Sequence, residues 1–271
     1  LELSYRDGDK LYVPVDRMNN ISKYHGLSDK SPKIEKLGGK NWEKIKKKVK
    51  DAVWKVAQDL LDLYARRKLA TGTYFSRPGS LYHELEETFP FHETSGQNKA
   101  INDVINDLAS EQTMDRLVCG DVGYGKTEVA IRAAFKVVED GFQAAILVPT
   151  TVLAEQHVLS FRERLSCLPV RVESLNRFKS TKEQKEIIKD LGAGKVDIVI
   201  GTHRLLSKDV YFAKLGLLII DEEHRFGVTH KEKLKKLKHN IDVLTLTATP
   251  IPRTLQMSLL GVRDLSIISS P

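Results

Sequence analysis

Hydrophobic residues along positions 81–271 follow two alternating patterns, one typical of buried strands and one typical of helices. Short runs rich in apolar and β-branched residues predict strands. These runs are 117–119, 144–149, 170–175, 196–200, 215–221 and 243–247. Between several of them, apolar residues at steps of three and four predict helices over 128–138, 152–165 and 182–191. The alternation indicates an α/β fold with a mostly parallel sheet that helices cover on both faces.

The first 39 residues carry the pattern of a small β structure. Leu1–Tyr5 alternates apolar and polar residues, Arg6–Asp9 contains a hairpin turn signal, and residues 10–15 return as a second strand. Asp16 is placed to cap a short helix that ends before Gly26. Because so few strands cannot easily close a barrel, we expect residues 1–39 to be the end portion of a partial, β-rich domain.

A long helix is predicted over residues 41–69. Asn41 is a favourable N-cap, apolar residues recur at helical spacing from Trp42 to Leu63, and the segment contains neither glycine nor proline. The glycines and proline of residues 71–79 end the helix. Residues 40–80 are therefore interpreted as a connector helix and linker between the domain at 1–39 and a lobe at 81–271.

Composition and charge narrow the class of protein. Hydrophobic residues make up 41% and charged residues 29% of the chain, as in globular proteins. Without a membrane-length apolar run or a signal-peptide pattern, we expect a cytoplasmic protein with no membrane partner and two free thiols, Cys119 and Cys167. Residues 1–80 hold 18 Lys/Arg against 10 Asp/Glu, whereas residues 81–271 hold 25 against 26. The N-terminal excess indicates either a solvated helix face or a surface for nucleic acid or an acidic partner.

A phosphate-binding loop is the strongest chemical signal. Residues 120–127 fit G-x-x-x-x-G-K-[ST] and stand between a predicted strand and a predicted helix. Glycines let backbone N–H groups approach phosphate oxygens, while Lys126 is predicted to reach the β- and γ-phosphates and Thr127 to ligate Mg²⁺. The pattern thus predicts ATP and Mg²⁺ as ligands. The predicted nucleotide-binding residues of the loop are Gly120, Asp121, Val122, Gly123, Tyr124, Gly125, Lys126 and Thr127.

An acidic box, residues 221–224, closes the apolar run 215–221. Carboxylates at the C-terminal end of a strand face the ligand crevice of an open α/β sheet. Asp221 is predicted to hold Mg²⁺, directly or through water, and Glu222 to polarise the attacking water as general base. With Lys126, these two residues form the predicted catalytic set. An acidic surface loop would be the alternative if the phosphate loop were not present upstream.

Further stretches resemble the motifs of superfamily 2 helicases, in the order found in that family. Gln97, after the aromatic segment 89–91, resembles the glutamine that recognises adenine. Segments 149–157 and 201–206 resemble loops that contact the DNA backbone, and 247–250 resembles the motif that links hydrolysis to DNA movement. The resemblance implies DNA contacts by Thr150, Thr151, His203 and Arg204, and a coupling role for His224, Thr247 and Thr249. Taken singly, Thr151 is better explained as a helix cap and His203 as a structural residue.

Within that superfamily the chain resembles the RecG branch and, inside it, the family of bacterial transcription-repair coupling factors. The resemblance rests on residues 120–127, 221–228 and 247–254. Tyr124 and Glu223 stand where RecG usually has serine and glutamine. Residues 1–39 resemble the end of the coupling factors' RNA-polymerase-interacting domain, where RecG has a DNA wedge domain. The resemblance implies an ATP-driven translocase on double-stranded DNA that displaces stalled RNA polymerase and recruits an excision-repair damage-recognition protein.

The same resemblance implies that the chain is part of a larger machine. Residues 41–69 would be the relay helix, and 81–271 the first of two RecA-like lobes, with the arginine finger on the second. We therefore expect the chain to be inactive alone. Three alternatives stay open: a RecG-like branched-DNA helicase, a non-motor module that only binds ATP, and a small-molecule kinase. The second has no need of Glu222, and the third leaves residues 247–250 unexplained.

Overall fold

The computed structural model describes residues 1–15, 17, 21, 43–51, 54, 58, 72–223, 226, 241–248 and 263–270. The chain divides into two compact units, Leu1–Asp62 and Leu63–Pro271. The predicted domain boundaries after residues 39 and 80 stay predictions. Within the described residues, no helix has the length and apolar character needed to cross a membrane.

The first unit contains the predicted hairpin. Strands β1 (Glu2–Ser4) and β2 (Lys10–Tyr12) pair antiparallel across a 3₁₀ turn at Arg6–Gly8, which confirms the turn signal. Residues 43–51 form helix α1, and residues 54 and 58 are also helical. These positions agree with the predicted long helix. The remainder of 41–69 and the short helix predicted after Asp16 fall outside the described part of the chain.

The second unit is built on a parallel sheet of seven described strands. These are β3 (Asp115–Gly120), β4 (Gln143–Leu147), β5 (Val172–Leu175), β6 (Ile198–Gly201), β7 (Leu215–Asp221), β8 (Asp242–Thr247) and β9 (Asp264–Ile268). Their order is β5-β6-β4-β7-β8-β3-β9, and every pair of neighbours is parallel. The α/β fold with a mostly parallel sheet is therefore confirmed.

Helices pack on both faces of this sheet. They are α2 (Ser80–Glu87), α3 (Ser95–Leu108), α4 (Lys126–Glu139), α5 (Thr151–Arg164) and α6 (Thr181–Gly192). Successive strand residues enter opposite cores: Ile146 packs with α3, α4 and α5, whereas Leu147 packs with α6. Because both cores are apolar, the strands lack the alternation of a half-exposed sheet and read as continuous hydrophobic runs.

Sequence patterns predicted most helices and strands of the lobe, but not three of them. The predicted strands and helices of the lobe lie within a few residues of the observed ones. Helices α2 and α3 and strand β9 were not predicted. Thr150, not Thr151, caps α5, because the Thr150 hydroxyl accepts a hydrogen bond from the N–H of Leu153 at 3.2 Å. The prediction of Thr151 as an ordinary helix cap was wrong by one residue.

Residues 72–79, predicted as part of a linker, are anchored to the lobe. The Phe75 ring is fully buried and packs edge-on against Phe142. Ser76 donates its N–H and its hydroxyl to the two Asp140 carboxylate oxygens, each at 2.6 Å. Lys136, buried on α4, donates to both Ser76 and Asp140. Although burial raises the pKa of Asp140, hydrogen bonds from Lys136 and Ser76 bring it below its ordinary value. The segment is thus bound to the C-terminal end of α4.

Candidate functional site

The predicted phosphate loop connects β3 to α4. Two of its glycines adopt the left-handed conformation, Gly123 with φ of 86° and Gly125 with φ of 78°. A Cβ atom on Gly125 would lie only 2.7 Å from Gln97 Nε2, so a side chain here would displace Gln97 as well as strain the left-handed backbone. Lys126 and Thr127 begin α4, where a helix presents backbone N–H groups and the positive end of its dipole. The loop therefore has the backbone geometry of an anion-binding site.

The Lys126 ammonium group lies against this loop. Its Nζ donates to the carbonyl oxygens of Gly120 and Asp121, each at 2.7 Å. Burial lowers the pKa of Lys126 below its ordinary value, and the carboxylates of Asp221 and Glu222 oppose that shift. The phosphate loop and the acidic box follow β3 and β7, which both pair in parallel with β8, so the two motifs lie at the same edge of the sheet.

We expect Lys126→Ala to weaken nucleotide binding at least about tenfold, because a charge-assisted contact to phosphate contributes roughly 1.5–3 kcal/mol. Titration with a fluorescent ATP analogue measures the affinity. Lys99→Ala, an exposed change on α3, is the matched control and should bind like the wild type. Equal affinity for Lys126→Ala and the wild type would show that the loop does not bind the phosphates.

Gln97 is bonded directly to the phosphate loop. It forms a capping box with Thr94 at the start of α3, in which Gln97 Oε1 accepts from the Thr94 N–H at 2.9 Å. Its Nε2 donates to the carbonyl oxygen of Tyr124 at 3.1 Å. These bonds hold the loop against the first turn of α3. The contact between Gln97 and adenine stays a prediction.

A cavity of about 860 Å³ opens beside the loop. Its walls are residues 88–92, Gln97, part of the phosphate loop and the C-terminal end of α5. Two guanidinium groups, those of Arg132 and Arg164, lie 5.4 and 5.3 Å from the centroid of the Phe89 ring. The Phe91 ring is 72% exposed. A concave, aromatic-lined space of this size suits a small organic ligand such as a nucleoside.

The acidic box follows directly from β7, whose last residue is Asp221. Glu222 has a left-handed backbone with φ of 52°, a strain that clusters at functional sites. Its Oε1 accepts from the N–H of Ala248 at 2.9 Å, and its Oε2 accepts from the Thr247 hydroxyl at 3.4 Å. The predicted general base is thus bonded to the predicted coupling motif. Two further predicted coupling residues, His224 and Thr249, fall outside the described positions.

Arg263 contacts the acidic box through Glu223, and no motif in the sequence predicts this contact. Its side chain is only 6% exposed, and its Nε lies 2.9 Å from Asp115 Oδ1 on β3. Its Nη1 donates to Glu223 at 3.2 Å, and its Nη2 donates to the Thr245 hydroxyl on β8. Burial disfavours the guanidinium charge, but Asp115 and Glu223 raise the pKa of Arg263. The pairing gives a physical reason for a carboxylate, not an amide, at position 223.

The residues predicted to contact DNA follow neighbouring strands. Thr150 and Thr151 come after β4, and His203 comes after β6, the parallel neighbour of β4. Residues at the C-terminal ends of parallel strands share one edge of the sheet, so these three lie on the same edge. Beyond β5, the next strand along, Arg177 and Phe178 are exposed at the same edge. An arginine next to an aromatic residue, soon after a predicted strand, was the sequence signal that could have identified them.

Arg204 is engaged within the protein. Its Nη1 and Nη2 donate to the two carboxylate oxygens of Asp209 at 2.7 and 2.6 Å, and its Nε donates to Gln184 at 3.0 Å. The hydrogen bond to Asp209 raises the pKa of Arg204. A phosphate contact by Arg204 would therefore require exchange of these partners, whereas Arg177 is exposed and lies over the Phe178 ring, 5.7 Å from its centroid.

Comparison with family models places two known modules on the chain. The model of the DEAD/DEAH box helicase family matches residues 94–258, which include the phosphate loop and the acidic box. The model of the CarD-like/TRCF RID domain matches residues 1–25, which include the β1–β2 hairpin. The two matches agree with the division of the chain into an N-terminal unit and a lobe.

Known proteins are similar to the chain over its whole length or over most of it. All 271 residues align at 57% identity with the transcription-repair-coupling factor of Bacillus subtilis strain 168, and at 53% with that of Staphylococcus aureus strain USA300. The chain spans only 23% of the length of each. A structure of RecG bound to a three-way DNA junction is 35% identical with a TM-score of 0.63, covering 78% of this chain and 30% of RecG. A DNA-bound DUF1998 helicase, MrfA, shares the fold at 16% identity and a TM-score of 0.55, covering 75% of this chain and 31% of MrfA.

Proposed function

The chain belongs to the DEAD/DEAH box helicase family, and we propose that it is the first motor lobe, with part of an RNA-polymerase-interacting region, of an ATP-dependent translocase on double-stranded DNA. The translocase would couple transcription to excision repair by displacing stalled RNA polymerase. The observation that carries this proposal is the bond from Glu222 to Ala248. It joins the residue that would activate water to the motif that would respond to hydrolysis.

Residues of the phosphate loop and of the acidic box would act together on the nucleotide. The α4 N-terminus and Lys126 would bind the β- and γ-phosphates, and Gln97 would orient the adenine at the mouth of the cavity. Glu222 would accept a proton from the attacking water. Lys126 would exchange its bonds to the loop carbonyls for bonds to phosphate oxygens. Lys126 would thereby neutralise charge that develops during phosphoryl transfer.

The side chains of Thr127 and Asp221 form a donor set that suits Mg²⁺. Mg²⁺ commonly takes one or two protein ligands and keeps several waters, together with substrate phosphates. One hydroxyl, from Thr127, and one carboxylate, from Asp221, match that preference. In the described residues, His, Cys, Asp and Glu form no cluster of three or more that would cage a metal ion, and a nucleotide-bound Mg²⁺ does not need one. When bound, the ion would supply charge to the phosphates.

The DNA track would run along the ends of β5, β6 and β4. Thr151 and His203 would contact phosphates of one strand, and Arg177 would extend the row. Such contacts position the protein without reading sequence. We expect the isolated chain to bind duplex DNA weakly, with affinity that falls steeply as salt rises and does not depend on base sequence. Fluorescence anisotropy with two unrelated duplexes of equal length measures both properties. Strong dependence on base sequence would contradict this track.

Partners outside the lobe follow from the first unit and from the coupling-factor relatives. The hairpin formed by β1 and β2 would belong to the surface that binds RNA polymerase, as the match to the CarD-like/TRCF RID domain supports. The excision-repair damage-recognition protein would bind regions beyond this chain. A cytoplasmic location is part of the proposal. A RecG-like role on branched DNA is the second candidate, supported by the similarity to RecG.

We expect this chain by itself to hydrolyse ATP very slowly, because an arginine finger on a second lobe contributes on the order of 10³–10⁵ in rate. Release of phosphate with saturating duplex DNA measures the turnover. A protein of the relatives' full length that contains the chain is the comparison. Brisk, DNA-stimulated turnover by the 271-residue chain would contradict the dependence on a second lobe.

Translocation itself is tested by displacement of a third DNA strand from a linear duplex. A full-length protein containing the chain should displace the strand with ATP and leave it bound with a non-hydrolysable analogue. Because a linear duplex offers no branch to unwind, displacement reports movement along DNA. Failure to displace the strand while ATP is hydrolysed would contradict a translocase function.

A further inference from the structure

His157 is a buried polar side chain in contact with the predicted metal ligand. It lies two turns into α5 and is 8% exposed. Its Nε2 lies 3.1 Å from Asp221 Oδ2, at the C-terminal end of β7. Its ring packs edge-on against Phe161, with ring centroids 6.3 Å apart. The imidazole is therefore held in one orientation between α5 and the acidic box.

The surroundings of the two ring nitrogens select one tautomer. Nδ1 is buried and has no hydrogen-bond partner among the described residues, whereas Nε2 faces a carboxylate oxygen. A buried N–H without an acceptor is rare in folded proteins, so the proton of a neutral ring belongs on Nε2. The Nε2–H then donates to Asp221 Oδ2. This bond leaves Oδ1 as the oxygen with which Asp221 would meet a cation or its water.

We propose that His157 is a positioning residue for Asp221, which it holds in the orientation needed to bind nucleotide-associated Mg²⁺. The inference rests on the proposed function, in which Asp221 is a metal ligand. Outer partners that bond a ligating carboxylate fix its orientation, and their loss typically costs about 10–100-fold in metal affinity. Because α5 begins at Thr151, His157 also joins the metal site to the helix whose first turn lies on the DNA track.

The alternative is that His157 only fills space between α5 and β7. In that case its replacement would change stability but not the response to metal. Glu155 provides the matched control because it lies on the same helix and accepts hydrogen bonds from Ser174 and Asn176, away from the acidic box. Glu155→Gln keeps an oxygen that can accept both bonds, and it should leave Asp221 unaffected.

The experiment measures binding of a fluorescent ATP analogue to the 271-residue chain across a Mg²⁺ titration, and again in EDTA. His157→Phe keeps the ring packing and removes the donor, and His157→Asn keeps an amide that is too short to reach Asp221. Both should need about tenfold more Mg²⁺ for half-maximal binding, with affinity in EDTA unchanged. His157→Gln, whose amide can reach the carboxylate, should restore most of the Mg²⁺ response. Thermal unfolding of each variant records stability separately.

A wild-type Mg²⁺ response in a folded His157→Phe or His157→Asn variant would overturn the inference. So would an equal shift in Glu155→Gln. If only one of the two His157 variants folds, that variant decides the outcome. Asp221→Asn separates this inference from the proposed function. If Asp221→Asn itself responds to Mg²⁺ like the wild type, the proposed metal site is wrong. If only the His157 variants do so, Asp221 is a ligand that His157 does not position.

Discussion

Glu222→Gln should slow ATP hydrolysis by about 10²–10⁴-fold, the usual contribution of a positioned general base, while leaving ATP binding nearly unchanged. The reason for unchanged binding is geometric. A glutamine oxygen can still accept from the Ala248 N–H, and its amide can donate to the Thr247 hydroxyl, so each of these two bonds has a replacement. Only the capacity to take a proton from water is lost.

Single-turnover hydrolysis by a full-length protein containing this chain, with duplex DNA present, measures the effect. Glu186→Gln is the matched control, because it makes the same chemical change at an exposed position of α6. It should hydrolyse ATP like the wild type. If Glu222→Gln turned ATP over nearly as fast as the control, Glu222 would be only a structural partner of residues 247 and 248.

Arg263→Met should lower the free energy of unfolding of the lobe by about 1.5–3 kcal/mol, because two partly buried carboxylates lose their charged partner. The two carboxylates belong to Asp115 and Glu223, on elements far apart in the sequence. Glu223→Gln in the same molecule should recover part of the loss, since it removes one of the two carboxylate charges that the arginine faced. Urea unfolding of both single variants and the double variant measures the coupling between the two side chains.

Arg116, a second arginine of the sheet, provides the control for this comparison of single and double variants. Arg116 is also largely buried on β3, but it pairs with Asp103 and Asp107 of α3. Arg116→Met should be destabilising as well, yet its effect should add to that of Glu223→Gln without coupling. If Arg263→Met and Glu223→Gln were simply additive too, the ion pair would not hold the acidic box in place.

The chemistry-bearing strand ends could be predicted because each is a local pattern. The observed limits of β7, Leu215–Asp221, match the predicted run, and the phosphate loop carries its own glycine and lysine spacing. Two-sided burial makes such strands continuous apolar runs, and the loop needs particular residues at fixed offsets. The residues that make up each signal lie within a few positions of one another, so a single sequence contains each signal completely.

What holds these parts together could not be predicted, because it depends on residues distant in sequence. Arg263 reaches Asp115 and Thr245 only once three strands are aligned in the sheet. His157 meets Asp221 only because β4, which precedes α5, lies beside β7. Neither residue has a distinguishing neighbour pattern. A buried polar side chain is recognisable in a fold but looks like a surface residue in a sequence.

The edge strand β9 and the packing of residues 72–79 were not predicted, for a related reason. Among the described strands, β9 pairs with β3 alone, and it contains charged, polar and apolar residues, so it lacks the apolar run of a central strand. Residues 72–79 carry the glycines and proline of a linker, but Phe75 fills the core and Ser76 is bound by Asp140. Turn chemistry describes the backbone of such a segment and does not show where its side chains pack.

Removal of a stalled RNA polymerase from linear DNA tests the central claim most directly. A full-length protein containing this chain should release the polymerase when ATP is supplied, and its Glu222→Gln variant should bind the complex without releasing it. The same preparation should act poorly on a synthetic branched DNA. If the polymerase stayed in place while branched DNA was unwound, the chain would belong to a RecG-like helicase and not to a translocase that couples transcription to repair.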